Sequence, residues 1–175
     1  LMKYAGEDGI SAYGTIMYVN FIFLAVFIGY STGIAPITSY HYGAGNKKEL
    51  NNILKRSSVI IGIVAIAMFG ISEFLANPLA SAFVGYDKEL LAMTTHAFRI
   101  YGIAFLFSGI SIFGSAFFTA LNDGLTSATI AFLRTLLFQC SSVLIMPIFF
   151  GLDGIWFSII VAETLSVAVT ITFLA

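Results

Sequence analysis

The chain has 175 residues, of which 59% are hydrophobic and only 10% charged, and its mean hydropathy is +0.97. Soluble domains carry about a quarter of charged residues, so this composition lacks the polar surface that water requires. Eight Lys+Arg against nine Asp+Glu exclude a basic nucleic-acid binder, and the apolar content excludes disorder. A bilayer is the solvent that fits.

The chain opens on Leu1-Met2 with no basic n-region or cleavable apolar stretch behind it, so no signal peptide is expected. These two residues are read as the last turn of an upstream helix, and the chain as a fragment. Gly9 to Asn46 carries no Asp, Glu, Lys or Arg, a run about 57 Å long if wholly helical, well beyond a hydrocarbon core of about 30 Å. A tilted or bent first span is predicted over about residues 10–42, ending at Gly43-Ala44-Gly45-Asn46 with a left-handed glycine cap. Pro36, behind Gly29 and Gly33, marks a kink or hinge, and the Gly29/Gly33 spacing suits close helix approach.

Lys47, Lys48, Lys55 and Arg56 form a basic, amphipathic connection. A second span is predicted over 53–75, broken by Asn77-Pro78, with a short interfacial helix over 79–84. The third span is predicted over 90–121, the fourth over 125–150 and the fifth over 155–175. Asn122-Asp123-Gly124 and Gly151-Leu152-Asp153-Gly154 are the turns between them. The fold class is an all-α membrane protein with about five transmembrane helices, since lipid-exposed backbone leaves no room for an open sheet. The basic connection places the first loop in the cytoplasm.

The lone Cys140 lies in an apolar run and is read as a small packing residue; no His/Cys set stands at metal-ligand spacing, so no metal is expected. Intramembrane ionisable groups are functional candidates by default. Counted from the turn at Gly151, Glu163 and Gln139 fall at similar depth and are predicted to be neighbours, chiefly holding helices together. Arg134 falls about 10 Å nearer the cytoplasm than Glu163, so no direct bridge is expected. Glu73 and Arg99 are placed at the outer interface, and His41 and His96 at helix ends. No nucleophile–base set or paired acids support an enzyme, and no catalytic residue is assigned.

The run Tyr42-Gly43-Ala44-Gly45-Asn46-Lys47 closing a long helix, Gly33-Ile34-Ala35-Pro36-Ile37 before it, Asn77-Pro78-Leu79, and Gly151-Leu152-Asp153-Gly154-Ile155-Trp156 together resemble the MATE (multidrug and toxic compound extrusion) transporter family, of the MepA-like branch. The resemblance implies a twelve-helix fold of two six-helix lobes. This chain would be most of the C-terminal lobe, helices eight to twelve, with the N-terminal lobe missing. It implies export of amphipathic, drug-like cations in exchange for H+ or Na+, without a cofactor, by a multi-pass protein of the bacterial plasma membrane. Tyr13, Met17, Asn20 and Phe21 on the first helix, and Tyr101, Phe105, Ser108 and Ile112 on the third, are the resulting candidates for the substrate and cation pathway. Sodium-coupled relatives carry a carboxylate near the position of Ser108, and its absence here moves the expected coupling acid to the missing lobe. The alternative is a lipid-linked oligosaccharide flippase of the same wider superfamily. Such a protein needs a strongly cationic cavity, for which only Arg134 and Arg99 are available.

Overall fold

The computed structural model describes residues 2–174. Leu1, half of the expected upstream turn, lies outside them. The described residues are helical almost throughout, with no strand among them.

Helix α1 (Met2–Gly43) starts earlier than expected, and Gly6, at φ 56 and ψ −143, turns residues 2–5 away from the long helix that follows. Pro36 lies within it, and the helix continues through that residue. Its end follows the glycine-cap expectation: Gly45 is left-handed (φ 67), and the Asn46 N–H donates to the His41 carbonyl at 2.9 Å. Helix α2 (Lys47–Phe74) then starts at once, six residues before the expected Ile53. The cause is Asn46, whose Oδ1 accepts the Glu49 N–H at 3.2 Å and caps the helix. Leu75 ends α2, and α3 (Ala76–Val84) tolerates Pro78 because it falls in the first turn.

The expected third span is two helices, α4 (Lys88–Gly102) and α5 (Phe105–Ala120), bent by 49°. Asp87 starts α4 by accepting the Glu89 and Leu90 N–H groups at 2.8 and 3.2 Å. At the bend the hydrogen bonds tighten to the i→i+3 pattern: Ile103 N–H to Ile100, Ala104 to Tyr101, Leu106 to Ile103. Gly102 sits there because α2 presses in, and a Cβ on it would lie 2.4 Å from Ser72 Oγ.

Helix α6 (Gly124–Phe132) is capped by Asp123, which accepts the Thr126 hydroxyl at 2.7 Å and the Thr126 N–H at 3.1 Å. Those bonds hold the Asp123 carboxyl below its usual range. The cap is therefore formed at neutral pH and is lost only as pH falls through that lowered value. A π-helical segment, Leu133–Gln139, leads into α7 (Cys140–Leu174). Gly151, at φ 58 and ψ −131, breaks α7 and reverses the chain. Residues 134 and 163 would be about 43 Å apart in a straight helix, yet their side chains touch. Residues 124–150 and 152–174 are thus antiparallel neighbours. Among the described residues three helices are long and apolar enough to cross a membrane, α1, α2 and the run over residues 124–174, or four if the bent pair counts as one span; five were expected, and the break at Gly151 falls within the longest of them. The turns at Gly6 and Gly151 share one sequence pattern, Gly-x-Asp-Gly-Ile, which the sequence reading used only at the second. Both sit at the same end of the bundle, where the Tyr4 hydroxyl donates to the Pro147 carbonyl at 3.2 Å.

Helix α5 is the hub, packed against α1, α2, α6 and α7. One apolar cluster joins α1, α3 and α4 with Trp156; a second joins Phe27, Ile61, Ala65, Phe113 and Phe117. Buried hydroxyls on Thr15, Ser31, Ser108 and Thr170 donate to carbonyls one turn back, which satisfies them in a medium without water. Cys140 is exposed and not packed as expected; its thiol turns back toward the Thr135 carbonyl of the π segment, 3.8 Å away.

The close helix approaches lie elsewhere than expected. A Cβ on Gly29 or Gly33 would meet nothing within 4 Å, so this spacing packs no helix in the structure, and no break marks a hinge at Gly29, Gly33 or Pro36. The tight sites are Gly109, against Phe27 and Ile61; Gly114, where an added Cβ would lie 2.3 Å from Thr170 Cγ2; and Gly154, where it would lie 2.3 Å from the Met146 carbonyl oxygen. Gly154→Ala should therefore cost about 1–3 kcal/mol, because the atom in the way is backbone. Gly29→Ala should be neutral or stabilise by up to about 1 kcal/mol through helix propensity. Unfolding in mixed micelles followed by circular dichroism measures both; equal effects would contradict this packing.

Candidate functional site

The buried centre of the lobe is an ion pair between the π-helical segment and the last pass. Arg134 Nε lies 3.1 Å from both carboxylate oxygens of Glu163, and Nη2 lies 2.7 Å from Oε1. Glu163 is 4% exposed and the Arg134 side chain 22%. Bidentate guanidinium–carboxylate geometry is the strong form of such a pair. It overturns the expectation of no direct Arg134–Glu163 bridge, and Gln139 makes no hydrogen bond to Glu163 among the described residues. The depth count assumed 1.5 Å per residue throughout. The π turn places more residues in each turn and brings Arg134 up, and the long side chain spans the remainder.

Gln139 instead lines a small cavity of about 80 Å³ with Tyr13, Tyr101, Val143, Ile155, Ser158 and Ile159. Tyr13 stacks on Trp156, with ring centroids 6.4 Å apart. Tyr101, Phe105 and Ser108 are buried inside the lobe, and so is Asn20. These four do not form an open cleft face. The bend at residues 102–104 drives α4 and α5 to the middle of the bundle, so their aromatic stripe packs against α1. Met17 and Tyr13 are half-buried against the same cluster. Phe21 is 66% exposed and points away from them.

The open surface lies one turn further along. A groove of about 280 Å³ runs between α1, α5 and the α6–π run, lined by Leu24, Ile28, Ser111, Ile112, Ser115, Ala131, Arg134 and Thr135 among others. Of the expected pathway residues, only Ile112 lines it. Ser111 presents a buried hydroxyl with no partner among the described residues. The sequence reading missed this groove because it sought aromatic residues. The usable signal was small and hydroxyl side chains at four-residue spacing, Ser111/Ser115 and Ala131/Thr135, which leave a channel where two helices face each other.

At the Gly151 end of the bundle, His96 Nε2 lies 3.1 Å from Asp153 Oδ1, which ties α4 to the Gly151 reversal. Arg99 is exposed and Glu73 half-buried; neither forms an ion pair among the described residues. His41 packs edge-on to Tyr40 at 5.3 Å.

Removing one partner of the central pair leaves a buried charge. Glu163→Gln or Arg134→Gln should each destabilise by about 3–5 kcal/mol, whereas the paired Arg134→Met/Glu163→Leu should lose much less. A double-mutant cycle on denaturant unfolding measures this; additive single effects would show that the two groups do not interact.

The family model MatE matches residues 1–145. Among curated relatives, multidrug export protein MepA of Staphylococcus aureus (strain MSSA476) is 24% identical over 169 residues, covering 94% of this chain and 36% of that protein. MepA of Staphylococcus saprophyticus is 26% identical over 168 residues, covering 91% and 35%. The chain thus spans about a third of the length of these relatives. Two solved structures share its fold over 98% of its length. An inward-facing multidrug resistance MATE family transporter of the MOP superfamily has a TM-score of 0.92 at 18% identity, over 40% of that chain. A MOP superfamily transporter from Pyrococcus furiosus has a TM-score of 0.90 at 19% identity, over 39% of its chain. The all-α lobe, its apolar passes and the matched family model lead to one conclusion: the chain belongs to the MATE family of membrane transporters and is not an enzyme.

Proposed function

We propose that this chain is the C-terminal lobe, helices eight to twelve, of an antiporter that exports amphipathic, often cationic compounds across a bacterial plasma membrane in exchange for H+ or Na+. The observation that carries the reading is the open groove between α1, α5 and the α6–π run, into which Ser111 and Arg134 project. Its walls are apolar, with a few hydroxyls and one guanidinium whose charge Glu163 already balances. Such a surface accepts flat organic cations by contact and orients them weakly, which suits varied substrates.

The long stripe of α1 through Ile22, Val26, Gly29, Gly33 and Ile37 is exposed. In this reading it faces the other lobe, and Gly29 and Gly33 allow close approach there and not within this lobe. Glu163 is held by Arg134 and Glu73 lies near a helix end, which supports a coupling acid in the other lobe. The flippase alternative loses support because Arg134, the one intramembrane cation on the groove, is neutralised by its partner.

The test uses the complete transporter in proteoliposomes loaded with a fluorescent organic cation. Export should require a proton or sodium gradient, and collapsing both should abolish it. Ala131→Phe, which fills the groove from an exposed position, should cut export at least about tenfold, the effect of losing roughly 1.4 kcal/mol of binding, without changing folding. Export that ignores both gradients sinks the antiport reading; export unchanged by Ala131→Phe sinks the groove.

A further inference from the structure

Half of the chain's eight basic residues fall within ten positions of α2: Lys47, Lys48, Lys55 and Arg56. All four are exposed, and none has a carboxylate within 4 Å among the described residues. The helix itself places them. Its 28 residues extend about 42 Å, some 12 Å more than a hydrocarbon core, so about two turns must stand in a headgroup layer. The charged end is the end that can. The opposite end, through Ala67, Met68, Phe69 and Ile71, holds only Glu73 as a charged group.

The helix is also divided around its axis. Ser57, Ile61, Ala65 and Ser72 face the lobe and are buried. Lys48 and Lys55 are seven residues apart, nearly two turns, and so lie one above the other on the opposite face. Arg56 adjoins them. Val59, Ile63 and Ile66 continue the same stripe into the membrane, each more than 60% exposed. Where the charge gives way to apolar residues, Lys55, Arg56, Val59 and Ile60 line an open groove of about 370 Å³. Two cations above and branched aliphatics below match a phosphate ester above an acyl chain. The helix N-terminus adds partial positive charge at Lys47 and Lys48.

We infer that this face of α2 is a binding site for an anionic phospholipid of the cytoplasmic leaflet, its phosphate held by Lys48, Lys55 and Arg56 and its acyl chain lying along Val59, Ile63 and Ile66. The inference needs only that α2 crosses a bilayer, and it stands or falls apart from the export reading. Each basic side chain near a membrane surface adds severalfold to the affinity for anionic lipid, and salt weakens that attraction.

The chain is reconstituted in phosphatidylcholine vesicles, and the motionally restricted fraction of spin-labelled phosphatidylglycerol is compared with that of spin-labelled phosphatidylcholine. Phosphatidylglycerol should be preferred by about threefold or more at 0.1 M salt, with the preference mostly gone at 1 M. Lys48→Gln/Lys55→Gln/Arg56→Gln should remove it. Lys48→Arg/Lys55→Arg/Arg56→Lys should keep it, and so should Lys88→Gln at the opposite end of the bundle. The salt dependence of the unaltered chain reads the site even where the triple glutamine variant fails to fold. Equal association of the two lipids, or a preference that survives 1 M salt, would overturn the proposal. So would a preference seen with this chain and absent from the complete transporter, which would mean that protein, not lipid, covers the cations.

Discussion

An ionised glutamate cannot sit alone inside a bilayer, and much of this lobe is arranged around giving Glu163 its partner. The carboxylate is almost wholly buried and the guanidinium of Arg134 binds both of its oxygens. That contact requires three separate features. Gly151 must reverse the chain, Gly154 must let the returning pass clear the Met146 carbonyl, and the π-helical turn must lift Arg134 to the depth of Glu163. A regular α-helix over those seven residues would set the charge only about 2–3 Å lower, and the long arginine side chain spans the rest. The pair is worth little over an apolar replacement, but breaking it leaves an unpaired charge, and that asymmetry enforces register between the last two passes.

The same economy of space organises the centre. α5 touches four neighbours, which is possible only where side chains vanish: Gly109 meets Phe27 and Ile61, and Gly114 meets Thr170. The 49° bend before α5 comes from i→i+3 hydrogen bonds beside Gly102, with no proline involved. It sends the aromatic stripe of α4 inward and leaves hydroxyl and small residues to border the open groove. Interior and open groove are therefore divided by the bend, and the groove's modest polarity follows from what remains.

Charge is sorted by depth. One balanced pair lies in the interior, one His–Asp contact closes the end at Gly151, and a bare basic face marks the other. In the proposed two-lobe transporter this sorting leaves distinct faces for protein and lipid. The interior pair keeps the bundle rigid, while the unpartnered stripe of α1 and the basic face of α2 are free to meet protein and lipid.

The apolar character of the long helices and the turn positions were legible from the chain because they are local properties. Charge-free runs set the passes, and Asn46, Asp87, Asp123, Gly45 and Gly151 act within a few residues of themselves. Even so, the cap at Asn46 moved a boundary by six residues, since a hydrogen bond only 3.2 Å long outweighs the polarity of the turn that follows it. The family resemblance came from the same local turn motifs. Tertiary structure alone decided which faces are inside. Helical spacing puts Tyr101, Phe105 and Ser108 on one face but does not say whether that face meets lipid, cleft or core, and the bend sends it to the core. The Gly29/Gly33 spacing permits close packing but cannot supply a neighbour; the close contacts went to glycines on α5. Arg134 and Glu163 lie 29 positions apart, and their contact depends on the rise of a π turn that hydropathy does not encode. Hydropathy sums over a segment and so fixes what crosses the membrane, whereas the direction each side faces depends on bends and turns whose effects accumulate along the whole chain.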